Sequence, residues 1–187
     1  MAPGLNDVDV DGMKEMDRKI RENPALGRRT VKLRSTWRRG AKALVEIGAQ
    51  EAMGKPATPP TRRFFITLDA PPGLGGVDAA ATAAETLVAS FAGCLTSGIA
   101  ANAALFDVPI DGLSVEMEAD IDFRGLLGHD KSVRNGFTDI RYTVTIESPA
   151  PEEKVRRCKE TIDRKSPVGD TLANPVKITS TFVHKRS

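Results

Sequence analysis

Between Glu85 and Asp107 the chain carries no charge for 21 residues, "TLVASFAGCLTSGIAANAALF", and near the middle of that run stands one cysteine, Cys94. No other feature limits the possible folds as strongly. A stretch of this length is long enough to cross a bilayer as a helix. Its composition argues otherwise, because most of its residues are Ala, Gly, Ser, Thr or Asn, and so weak a hydrophobe predicts a buried helix in a water-soluble fold. Gly93, Gly98 and the alanines would let a second backbone approach closely, as in a central helix packed on a partner helix. The start of the helix is marked by Thr82-Ala-Ala-Glu85, a capping box in which each of the two polar residues satisfies the other's orphan amide. If Ala83 is the first helical residue, Cys94 lies about 16 Å along the axis. The helix dipole acts mainly within the first turn, so a reactive thiol here would need a cation from elsewhere, and arginine is the natural candidate.

The remainder of the sequence sorts into strands and helices by period. Met13, Met16 and Ile20 recur at helical spacing within "DGMKEMDRKIREN", which Pro24 stops. Alternation then predicts strands at Val31 to Trp37, Ala43 to Ile47 and Phe64 to Leu68. After the central helix, "SVEMEADIDF" places Val115, Met117, Ala119, Ile121 and Phe123 on one face and Glu116, Glu118, Asp120 and Asp122 on the other, a solvated carboxylate row. "TDIRYTVTIE" repeats the pattern with Ile140, Tyr142, Val144 and Ile146, and the intervening "RGLLGHDKSVRNGF" reads as a mobile loop. A second helix, "PEEKVRRCKETIDRK", opens acidic and closes basic, as its dipole favours. "VKITSTFVH" reads as a last strand. Strands grouped in hairpins rather than alternating with helices predict α+β architecture with mainly antiparallel sheet. The helix over Asp11 to Asn23 reads as a short amphipathic arm ahead of the strands.

Composition narrows the function classes. Lys and Arg number 27 against 25 acidic residues, and the four Arg-Arg pairs are dispersed, so no basic field is available to attract nucleic acid or an anionic membrane. The amino terminus has neither a basic segment nor an apolar one of the secretory kind, and a cytoplasmic location is expected. Cys94 and Cys158 form no Cys-x-x-Cys, and His129 and His184 lack ligand spacing, so neither a metal site nor a cofactor is expected. Val155, Cys158 and Ile162 form an apolar stripe that makes Cys158 a core residue. On spacing alone Cys94 also reads as a small core residue. Ser166 followed by Pro167 reads as a helix N-cap with proline at the first helical position.

Two segments then resemble a known family. "GLGGVDAAATAAETLVASFAGCLTSGIAANAALFDVPIDGLSVEMEADID" is similar to the central helix and following strand of the OsmC/Ohr proteins, the osmotically inducible and organic-hydroperoxide-resistance proteins. "GFTDIRYTVTIESPAPEEKVRRCKETIDRKSPVGDTLANPV" resembles the family's later segment, which ends in Leu-x-Asn-Pro-Val. The resemblance spans residues 29 to 184 and so implies an amphipathic extension over 1–28 ahead of an OsmC-like domain over 29–187. It implies an intertwined homodimer with sites at the subunit interface, and a peroxidatic cysteine that becomes a sulfenic acid and is then resolved by a second cysteine.

Carried onto this chain, Cys94 matches the peroxidatic cysteine, and the activating arginine falls at Arg38 or Arg39 in "TWRRG". Ser166 stands at the second cysteine's position and cannot form a disulfide. The peroxidases' glutamate position is occupied by Ala84, with Glu85 one place later. The resemblance implies a single-cysteine peroxidase that reduces organic hydroperoxides and depends on an external thiol, with Phe91, Leu95, Leu126 and Leu127 as an apolar substrate wall. The alternative is a non-enzymatic protein that keeps the dimer cleft for a small apolar molecule. A cysteine hydrolase using His129 or His184 ranks below both.

Overall fold

The computed structural model describes residues 4–186. The chain divides into two compact units, one up to Ala89 and one from Ser90. The helix that holds Cys94 runs through the division.

The first unit begins with helix α1, Val10–Glu22, capped where Asp9 accepts from the Gly12 amide at 2.9 Å. Its polar face is tied by i,i+3 and i,i+4 ion pairs, Arg18 to Glu15 and Arg21 to Asp17 among them. No residue of α1 is buried. Strands β1 (Arg29–Arg39) and β2 (Lys42–Ala52) form a long hairpin, with a short β3 (Lys55–Pro56) at the far end of β2 and β4 (Phe64–Leu68) on β2's other edge, all antiparallel. The register aligns Leu33 with Ile47 and Phe64, and Ser35 with Val45 and Ile66, so the alternation read from the sequence becomes one apolar sheet face. Much of that face lies open: Trp37 is 72% exposed and Phe64 54%.

Asp69 follows β4 and is buried. Its Oδ2 accepts from the amides of Val77 and Ala79, pinning the Pro-Gly loop that leads to the central helix, while Oδ1 has no hydrogen-bond partner among the described residues. The Ala79 amide is the main cause that holds this carboxyl below its usual range.

Helix α2 spans Ala83–Leu105. The capping box forms as the sequence predicts: Thr82 N donates to Glu85 Oε2 at 2.7 Å and Glu85 N to Thr82 Oγ1 at 3.1 Å. By length and composition α2 could cross a membrane. From Ser90 on, however, it is the spine of the second unit's core. Leu95, Ile99 and Ala103 are fully buried with Val108, Cys158 and Ile162. Around them pack the inner faces of β5 (Gly112–Ile121) and β6 (Phe137–Glu147), which pair antiparallel with Val115 opposite Val144 and Met117 opposite Tyr142. Gly98 is required here, because a Cβ on it would lie 2.3 Å from Ile162 Cδ1. The carboxylate row is solvent-facing as expected, and Arg141 bridges Glu118 and Asp120 across the strands.

The segment between β5 and β6, expected as a loop, opens with a one-turn helix α3 (Phe123–Leu126) capped by Asp122. Helix α4 (Glu152–Lys165) packs Val155, Cys158 and Ile162 inward, and α5 (Pro167–Ala173) follows directly. Residues 176–184, expected as a final strand, form no strand and pair with none among the described residues. Ile178 is 87% and Phe182 89% exposed, because a β-strand needs an edge to bond to and this segment finds none in its own chain.

Candidate functional site

Cys94 lies on α2 one residue before the buried Leu95 and is itself only half-buried. Across the unit its Sγ stands 3.2 Å from Ser166 Oγ. Two local rules place that hydroxyl. The Ser166 amide donates to Ile162 O at 2.7 Å and so closes α4, and the same residue caps α5, its Oγ accepting from the Gly169 amide at 3.0 Å, with Pro167 at the first helical position. Ser166 is 2% exposed, so the cap read from the sequence is present and faces the thiol.

Phe91, nearly one turn before Cys94, forms a wall of the same region. Its ring meets Tyr142 edge-on at 5.6 Å and lies against Gly169, where a Cβ would come within 3.0 Å of the ring and 3.3 Å of Ser166 Oγ. Tyr142 donates to Asp163 Oδ1 at 2.9 Å, and Asp163 is ion-paired with Lys159. Burial, then the carboxylate beside it, pushes the Tyr142 phenol up to about 12. It stays a neutral donor at any physiological pH.

The other candidates are placed differently. Leu95 does not line a wall. It is fully buried in the core, because the helix is apolar on every side and only packing distinguishes an inner residue from an outer one. Leu126 and Leu127 close the α3 turn and are 50% and 55% exposed. Glu85 is engaged in the capping box, and the Thr82 amide holds its carboxyl below the usual range.

Arg38 and Arg39 belong to the first unit, exposed at the end of β1 where the register shifts between Trp37 and Arg39. Arg39 has φ 121°, a backbone region that side chains other than glycine's rarely adopt, and Trp37 Nε1 anchors the turn by donating to Gly40 O at 2.9 Å. Cys158 is sealed, donates to Lys154 O, and its thiol is pushed up by burial. Both histidines are exposed. Among the described residues no group of three or more His, Cys, Asp or Glu could hold a metal ion.

No local pattern signals that Ser166 touches Cys94, since 72 positions separate them. Only the alignment of Ser166 with the family's second cysteine pointed to it.

Antiparallel sheets, one long helix rich in small residues, and a half-buried thiol backed by a buried hydroxyl define an α+β protein of the OsmC-like fold. The OsmC-like protein family model matches residues 76–181, more than half of the sequence, and the chain belongs to that family. Similar solved structures include an OsmC-like protein from Mycoplasma pneumoniae (14% identity, TM-score 0.57, covering 78% of this chain and 89% of that one). They also include an organic hydroperoxide resistance protein OsmC from Legionella pneumophila (15% identity, TM-score 0.50, 76% and 88%) and an OsmC-like protein of unknown function from Vibrio cholerae (11%, 0.51, 76% and 92%). At such identities the likeness speaks for the fold alone. A search of the curated proteins returns no match.

Proposed function

We propose that this OsmC-like chain is a thiol-dependent peroxidase that reduces organic hydroperoxides through Cys94 alone. The observation that carries the reading is the half-buried Cys94, at the family's reactive position, with its sulfur against a polar group rather than sealed in hydrocarbon. The Cys94 thiolate attacks the terminal peroxide oxygen. The O–O bond breaks, an S–O bond forms, the sulfur is oxidised to sulfenic acid, and the organic fragment leaves as an alcohol after taking a proton. Ser166 cannot capture that product. One external thiol therefore condenses with the sulfenic acid, releasing water and leaving a mixed disulfide, and a second external thiol attacks that disulfide, which restores Cys94 and releases the oxidised reductant.

Arg38 or Arg39 supplies the guanidinium that steadies the thiolate and orients the peroxide, and Phe91 favours an apolar substrate. The working unit is a homodimer, a reading supported by exposed large apolar side chains at Trp37, Phe64, Phe65, Ile178 and Phe182, which a second copy would cover. A cytoplasmic setting would supply the thiol pool.

Cumene hydroperoxide should produce a dimedone-trappable adduct at Cys94 that Cys94→Ser abolishes. A folded protein that forms no adduct and consumes no peroxide would rule the enzyme out. Ser166 at the resolving position also favours a second reading, a binding protein with the same cleft. Native mass spectrometry separates the two, since a retained apolar ligand beside an unoxidised Cys94 supports binding.

A further inference from the structure

We infer that Ser166 is a positioning residue for the Cys94 sulfur: its hydroxyl donates its proton to Sγ and thereby favours the ionised thiol. The inference rests on the peroxidase reading only for its consequence, not for its geometry. A serine hydroxyl has one proton and two lone pairs. The Gly169 amide takes one lone pair, and at 2% exposure the group has little access to water. Its partners among the described residues are that amide and Cys94 Sγ. A proton with no other acceptor points at the sulfur, and a thiolate accepts it far better than a thiol, whose own S–H is a weak donor.

The arrangement is rigid because three constraints fix Ser166: the close of α4, the start of α5, and Pro167 after it. Gly169 completes it, since any side chain there would press on both Phe91 and Ser166 Oγ. The charged residues nearest to Ser166 along the chain, Asp163, Arg164 and Lys165 before it and Asp170 after it, are exposed. Asp163 is paired with Lys159 and accepts from Tyr142, Arg164 is paired with Glu160, and the Asp170 carboxylate accepts from Asn174. All are retained in every variant below.

The test is the pH profile of Cys94 alkylation by iodoacetamide in the full chain, read by peptide mass. Ser166→Ala and Ser166→Gly should move the profile to higher pH by about one unit, an about ten-fold slower reaction near neutrality, as the loss of a hydrogen bond to a charged group implies. Ser166→Thr, which keeps the hydroxyl, should restore it. Glycine is nearly as good an N-cap as serine, so Ser166→Gly should move the profile with little change in melting temperature, which a purely structural role would not do. Profiles of Ser166→Ala and Ser166→Gly that coincide with the wild type, or a Ser166→Thr variant that fails to recover, would overturn the inference. Peroxide consumption is scored separately: a shifted profile without turnover removes the peroxidase and leaves Ser166's role intact, whereas turnover with an unshifted profile does the reverse.

Discussion

The two units hold their apolar residues in opposite ways. Among the described residues up to Ala89 the buried side chains are Ala52 and Asp69, and the sheet's Val31, Leu33, Trp37, Phe64 and Phe65 are exposed. From Ser90 on, Leu95, Ile99, Ala103, Val108, Cys158 and Ile162 form a closed core. Each unit has clear amphipathic patterning, so the difference does not lie in the pattern. In the second unit β5, β6 and α4 close over α2, whereas the first unit's strands form one layer with an uncovered face. A layer of sheet needs a second layer to be stable, and on the proposed homodimer that layer comes from another copy.

The same substitution made in each unit tests this difference most strongly. Leu95→Ala should cost about 2–5 kcal/mol in chemical denaturation, the range for emptying a packed site. Leu33→Ala, at a residue 63% exposed, should cost less than about 0.5 kcal/mol if its face stands open. Equal costs would mean that something covers the sheet, and light scattering on both variants would show whether that cover is a second copy.

A smaller effect is expected from stapling the second unit alone. Ser166→Cys should form an intrachain disulfide with Cys94 on peroxide treatment, visible as a mass loss of two hydrogens, and stabilise by about 2–4 kcal/mol. The single tryptophan, Trp37, reports on the first unit and the single tyrosine, Tyr142, on the second. The Tyr142 transition should rise more than that of Trp37. Identical shifts would show that the two units melt as one.

The smallest effect concerns the start of α2. Glu85 titrates below its usual range because the Thr82 amide bonds its charged form, so its contribution to stability is present at neutral pH and is lost as the pH falls below about 4.5 through the depressed value. Glu85→Gln keeps an acceptor for the cap. It should flatten the acid side of the melting-temperature profile, and unchanged slopes would remove the cap from the account.

Local rules made most of the fold legible. Thr82 caps the helix it precedes, the alternation from Val115 to Ile121 sets the inner face of β5, and Ser166-Pro167 starts α5. The sequence failed where a residue's fate depends on distant chain. Val176 to His184 alternates as a strand should, yet finds no edge within its own chain. Phe91 and Leu95 are one turn apart on a helix with no polar face, so no period could tell which would be sealed. For the site, Cys94 and Ser166 were each marked, one by the family resemblance and the other by its cap and by alignment with the second cysteine, but their contact is tertiary.

Cys158 adds a practical consequence. It is 1% exposed and its thiol is pushed up by burial, so a reagent can reach it only when α4 lifts away from α2 and the sheet. The chain thus contains its own clock for core opening: in the folded state Cys94 is the faster of two marks to fill, and the slow filling of the second measures how often the centre of the molecule comes apart.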